Sequence, residues 1–122
     1  WLAEIHHDNP AWINPITAEA NGIADGDAIK VTSEISDLVT TAKVTPAVAP
    51  GILAMATHVG RQEGGRYAAG KKAPLGVEDA RHDDYIWWQA GGSHINNIIP
   101  DYPEPVSGQQ NWMDTVVSVT KI

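Results

Sequence analysis

The stretch WINPITAEANGIADGDAIKVTSEISDLVTTAKV, residues 12–44, decides the fold class. It carries one helix signal followed by two strand signals. The ring of Pro15 keeps Asn14 out of helix geometry, so Trp12-Ile13 reads as extended. Asn14 is then the N-cap, Pro15 suits the first helical position, and Asn21-Gly22 ends the helix. Ile16 and Ala20 lie four apart and are predicted to share the inward face, with Ile23 stapling the helix end. Ala24-Asp25-Gly26-Asp27 reads as a tight turn. There Gly26 tolerates positive φ, and Asp25 or Asp27 can accept backbone N–H bonds. Residues 28–34 alternate, with Ile29, Val31 and Ser33 on one face, as in a half-buried strand. Residues 38–44 form a second strand with Leu38, Thr40, Ala42 and Val44 on one side, and Ser36-Asp37 is the predicted hairpin turn between them.

Outward from this stretch, residues 1–5 read as a short amphipathic segment and residues 6–10 as a polar turn. Pro50-Gly51 suits the centre of a type II turn. Residues 52–56 are continuously apolar, as expected of a strand buried on both faces. Residues 59–84 hold five glycines, one proline and ten charged residues, which predicts a long surface loop. Ile86-Trp87-Trp88 restores hydrophobicity, Gly91-Gly92 and three prolines mark an irregular stretch, and residues 115–122 close the chain as a strand bearing Val117 and Val119 on one face. Short strands, one short helix and irregular crossings predict a small, mainly β barrel.

Composition narrows the function. At 122 residues the chain is the size of one domain, and 43 % hydrophobic residues exclude wholesale disorder. The absence of cysteine removes disulfides, thiolate zinc sites, iron–sulfur ligation and a Cys nucleophile. A net charge of −7 argues against nucleic-acid binding. No apolar run reaches the ~20 residues of a membrane-inserted helix. The start at Trp1, with neither an initiator Met nor a signal peptide, reads as a piece cut from something longer.

Polar loops rather than catalytic groups dominate the local chemistry. His6 and His7 are adjacent and would point to opposite faces of a strand, and no metal-binding helix spacing occurs, so ordinary histidines outweigh a zinc site. His58 stands where a buried strand gives way to Val59-Gly60-Arg61; it can bond a phosphate or a heterocycle edge, or cap a backbone carbonyl. Ser93-His94-Ile95-Asn96-Asn97 follows a double glycine, and its amides offer a donor and an acceptor together, matching pterin or guanine; turn chemistry is the alternative. Residues 105–110 form a similar polar loop without the spacing or Lys of a P-loop. Gly91-Gly92-Ser93 resembles the self-cleaving site of pyruvoyl enzymes on one dipeptide alone. Asp83-Asp84 and Glu78-Asp79 read as solvated charge, and no Ser-His-Asp set assembles.

Taken in order, Trp12-Ile13-Asn14-Pro15, Thr17-Ala18-Glu19, Gly22-Ile23-Ala24-Asp25-Gly26-Asp27, Lys43-Val44-Thr45, Pro50-Gly51-Ile52, Asn96-Asn97-Ile98-Ile99 and Pro105-Val106-Ser107-Gly108-Gln109 form a specific set. With residues 116–119, it resembles the C-terminal molybdopterin-dinucleotide-binding domain of the dimethyl-sulfoxide-reductase family of molybdenum and tungsten oxidoreductases. The ending looks most like tetrathionate, polysulfide and related respiratory reductases. The resemblance spans nearly all of residues 1–122 and implies a six-stranded double-psi β-barrel, its first strand lying upstream of Trp1 with a Thr/Gly-Arg segment. It also implies a role in closing over a bis(molybdopterin guanine dinucleotide) cofactor holding Mo or W, shared with other domains of a larger catalytic subunit.

By position, the resemblance assigns His58, Gly60, His94, Asn96, Gln109 and Gln110 to cofactor binding, with no catalytic or metal-ligating residue in this chain. Met113 departs from the pattern, standing where relatives often carry a basic residue. The implied partners are the remaining domains of the parent oxidoreductase and an iron–sulfur electron-transfer subunit, with no nucleic acid and no membrane insertion. The compartment stays open between periplasm and cytoplasm. Two competing readings are a stand-alone double-psi barrel acting as a binding or adaptor module, and a self-processing decarboxylase of the same barrel type cut at Gly92-Ser93.

Overall fold

The computed structural model describes residues 8–60, 92–111 and 113–122. The readings for residues 1–7, 61–84 and 86–88 and for Gly91 lie outside those residues, as does the strand expected upstream of Trp1. The chain divides into two units, Pro10–Met55 with Ile95–Ile122, and Trp1–Asn9 with Ala56–His94. Among the described residues, no helix is long and apolar enough to cross a membrane.

The larger unit is mainly β. Its elements are β1 (Ala11–Ile13), α1 (Pro15–Ala20), β2 (Ala28–Thr32), β3 (Asp37–Val44), β4 (Leu53–Ala54), a 3-10 turn at Ile95–Asn97, and β5 (Ser118–Lys121). The strands form one curled half-barrel sheet in the order β4-β1-β3-β2-β5. β1 lies parallel to β3, with Ile13 opposite Val44, while the other neighbours are antiparallel. A parallel pair cannot be closed by a tight hairpin, and here α1 and β2 supply the crossover.

Alternation sets the buried face of the sheet. Ile29 and Val31 of β2 and Leu38, Thr40 and Ala42 of β3 point inward. Val31 sits between Leu38 on one neighbour and Val119 on the other. Ala11, Ile13, Ala18, Ile23 and Ile98 complete the core, with Leu53, Met55, Val117 and Val119 packed against it. Ile13, Ile29 and Val31 are its largest fully enclosed side chains. Each contributes roughly 1.5–3 kcal/mol through removal of apolar surface from water.

The cap chemistry of α1 follows the sequence closely. Asn14 is extended, and its Oδ1 accepts the Ile16 N–H at 3.0 Å, while its Nδ2 donates to the Val48 carbonyl at 2.7 Å. At the other end Gly22 takes φ +65°, and the Ile23 N–H returns to the Ala18 carbonyl at 2.9 Å. Together with the Gly22 N–H on Glu19, this is the two-bond glycine stop that satisfies the last carbonyls. The Asp25-Gly26-Asp27 turn and the Ala49-Pro50-Gly51-Ile52 turn also form as read, with Gly26 at φ +85° and Gly51 at φ +78°.

Four expectations are corrected. Ile16 and Ala20 do not face inward: both are exposed, and Ala18 is the residue enclosed beneath α1. The hairpin turn falls at residues 33–36 instead of Ser36-Asp37. The Ser33 N–H bonds the Ser36 carbonyl, the Ser33 hydroxyl accepts from Ile35 and Ser36, and Asp37 already pairs with Thr32. The strand expected over residues 52–56 is confined to Leu53–Ala54, half-buried, with Ile52 56 % exposed. Ile52 closes the turn onto Ala49, and the backbone N–H of Ala56 goes to a side chain instead of a neighbouring strand. The closing strand begins at Ser118, not at residue 115.

Candidate functional site

In the smaller unit the described residues converge on Asn9. This side chain is 2 % exposed. Its Oδ1 accepts the Ala56 N–H at 3.1 Å, and its Nδ2 donates to the carbonyls of Ala56 at 2.9 Å, Ser93 at 3.0 Å and Val59 at 3.4 Å. A buried amide is tolerated when its donors and acceptor find partners, and Asn9 finds them on two remote segments. Gly60 has φ +80°, and a Cβ there would lie 2.7 Å from the Asn9 Cβ and press into the Ser93 carbonyl oxygen. Nothing larger than glycine fits where the two segments cross.

The structure therefore brings residues 56–60 against Ser93, so the segments bearing His58, Gly60 and His94 are neighbours. His58 is exposed, and His94 is half-buried.

In the larger unit Asn96 is exposed on the 3-10 turn at Ile95–Asn97. The turn is anchored by the buried Ile98, whose N–H bonds the Ile95 carbonyl at 3.0 Å. Gln109 and Gln110 are exposed on a small loop closed by a Pro103–Gln110 bridge and by the Asn111 N–H on the Tyr102 carbonyl. Glu104 organises that loop from within. Its carboxylate accepts the Val106 N–H at 3.1 Å, the Ser107 N–H at 2.6 Å and the Ser107 hydroxyl at 2.7 Å. These bonds, led by the Ser107 hydroxyl, hold Glu104 below its ordinary pKa.

Asn96 and the glutamines thus stand on separate loops of the larger unit. Two grooves also mark this unit. One of about 500 Å³ is lined by Thr32, Tyr102 and Asn111, and one of about 420 Å³ by Ile23, Ile52 and Met113. Among the described residues that line them, Asn96, Gln109 and Gln110 do not appear.

Sequence reasoning missed Asn9 and Glu104. Asn9-Pro10 ahead of an extended segment, and Glu104 three residues before Ser107, were the available signals. Neither indicates that Asn9 reaches backbone atoms on remote segments or that Glu104 folds onto the loop that follows it. Among the described residues, no group of three or more His, Asp or Glu could hold a metal ion. The donor set is amide and imidazole, which fits the donor–acceptor edges of a pterin or guanine ring better than a metal.

Comparison with known proteins gives four matches. The family model described as molydopterin dinucleotide binding domain matches residues 1–116. The chain is 46 % identical over 111 residues to the probable dimethyl sulfoxide reductase chain YnfF of Escherichia coli (strain K12), covering 91 % of this chain and 11 % of that one. It is 32 % identical over 105 residues to the arsenate respiratory reductase molybdopterin-containing subunit ArrA of Shewanella sp. (strain ANA-3), covering 86 % and 11 %. Among solved structures it resembles acetylene hydratase from Pelobacter acetylenicus with a TM-score of 0.64 and 17 % identity, over 100 % of this chain and 15 % of that one. That likeness speaks to the fold. The chain spans only about a tenth of the length of the curated relatives it matches.

Proposed function

Because the chain belongs to the molydopterin dinucleotide binding domain family, we infer that it binds a bis(molybdopterin guanine dinucleotide) cofactor as the C-terminal domain of a molybdenum or tungsten oxidoreductase. The observation that carries this reading is the match over residues 1–116, which includes all six candidate residues. His58, Gly60, His94, Asn96, Gln109 and Gln110 are the residues that this reading assigns to the pterin and guanine edges. When bound, the metal of the cofactor supplies two-electron redox chemistry toward a small substrate. This chain's own residues bind and orient the dinucleotide. The remaining domains of a larger subunit are the natural partners, and an iron–sulfur subunit would carry the electrons.

The experiment is metal and pterin analysis of the full-length gene product. Stoichiometric pterin with molybdenum or tungsten is the expected result, and a product holding neither overturns the reading. Asn96→Ala in that protein is expected to lower pterin content, because the polar groups it served would lose a partner. Unchanged pterin content removes Asn96 from the site.

A further inference from the structure

We propose that Asn9 is a positioning residue: a buried amide that fixes residues 56–60 against Ser93 and so sets the edge presented by His58, Gly60 and His94. The significance of that edge rests on the cofactor reading above, whereas the clamp itself rests on geometry.

Three observations carry the proposal. Asn9 is 2 % exposed, yet its amide bonds backbone atoms 47, 50 and 84 residues away along the chain. Its partners Ala56, Val59 and Ser93 lie outside β1–β5, so the sheet ladder is not what orders them. Gly60 is pressed between the Asn9 side chain and the Ser93 carbonyl, so the two segments meet with no slack to absorb a displacement. A single side chain thus supplies donors to carbonyls on both sides of the crossing. Removing it leaves those carbonyls short of donors and frees one segment from the other. Replacing Nδ2 by a carboxylate oxygen sets negative charge against the same carbonyls.

The test uses the full-length protein with Asn9→Asp, Asn9→Ala and, as the mildest change, Asn9→Ser, which keeps one donor. A Val31→Ala variant in the sheet core, compared at equal loss of thermal midpoint, reports what general destabilisation does. Two quantities are measured: pterin retained through gel filtration, and backbone amide exchange over residues 56–60 and 92–94. Asn9→Asp and Asn9→Ala are expected to retain pterin about tenfold less well, the scale seen for residues that orient a ligand's direct contacts. Exchange should rise over both segments, and Asn9→Ser should fall between. Val31→Ala should retain pterin and show no selective rise there. Asn9 variants that match Val31→Ala in both measurements overturn the proposal. Where the wild-type protein itself carries no pterin, the cofactor reading fails and exchange alone decides. A selective rise over residues 56–60 and 92–94 then supports the clamp, and its absence refutes it.

Discussion

Asp25 Oδ1 accepts the Val44 N–H at 2.8 Å, which joins the turn ahead of β2 to the far end of β3. Asp27 ties down the other side. Its Oδ2 accepts the Ala24 N–H at 2.7 Å and meets Lys121 Nζ of β5 at 2.6 Å. The two carboxylates of one Asp-Gly-Asp turn therefore hold three strands of the sheet together. The Val44 N–H is the main cause holding Asp25 below its ordinary pKa of 3.8, with Lys43 adding to it. For Asp27 the Lys121 hydrogen bond leads and the Ala24 N–H follows.

Both folded values are lowered, so both sets of bonds contribute fully above the unfolded value of 3.8. The contribution is lost as pH falls through the lower folded values. Wild-type protein should lose resistance to urea across that acid window. Asp25→Asn and Asp27→Asn should each be less resistant at neutral pH and flatter on acidification. Parallel acid curves for wild type and both variants would refute this linkage.

Asn14→Ala removes the bond that caps α1 and the second bond to the Val48 carbonyl. A cap change of this kind costs about 1 kcal/mol, and the part-buried bond to Val48 adds to it, so a total of about 1–2 kcal/mol is expected in urea unfolding. Asn14→Asp keeps the capping oxygen but not the donor to Val48. It should lie between wild type and Ala, and equal losses for the two variants would assign the whole effect to the Val48 bond and none to the cap.

The features visible in sequence are those whose chemistry is local. Asn14 with Pro15, Gly22 after the helix, Gly26 between two aspartates and the alternation through β2 and β3 each solve a problem within a few residues. Other features depend on how the chain packs beyond its local sequence. The spacing of Ile16 and Ala20 points inward, but in the folded chain Ile16 is exposed and Ala18 is the helix residue that the core encloses. The apolar run at 52–56 promised a longer strand, but the chain leaves the sheet after Ala54 and the Ala56 N–H bonds Asn9. The candidate site divides the same way. His58, Gly60, His94, Asn96, Gln109 and Gln110 are assigned by the ordered resemblance and stay a proposal, while nothing local in the sequence points to Asn9. Its meaning lies in backbone atoms up to 84 residues away.

Glu104→Ala should loosen the loop carrying Gln109 and Gln110 while leaving the sheet intact. The three bonds of the carboxylate end on Val106 and Ser107, so exchange of those two amides should rise. Glu104 is held below its ordinary value of 4.5, chiefly by the Ser107 hydroxyl, so the loop should stay ordered above that pH and loosen as pH falls through the lower folded value. NMR shifts of the Val106 and Ser107 amides that move with acid in wild type but not in Glu104→Gln would establish the carboxylate as their cause. Shifts that move alike in both would dismiss it.

Gly60 and Gly108 separate two reasons for a glycine. Gly60 has φ +80° and Gly108 φ +71°, so alanine pays the left-handed backbone cost of roughly 1–2 kcal/mol at either position. Around Gly108 an added Cβ meets nothing within 4 Å, whereas at Gly60 it would strike the Ser93 carbonyl and the Asn9 side chain. Overpacking of that kind adds about 1–3 kcal/mol. Gly60→Ala should therefore lower stability clearly more than Gly108→Ala in urea titrations. Its added cost should shrink in an Asn9→Gly background, where the obstructing Asn9 Cβ is gone. Equal losses for the two glycine variants, or strict additivity in the double variant, would mean that the chain at Gly60 has room that the observed crossing does not show.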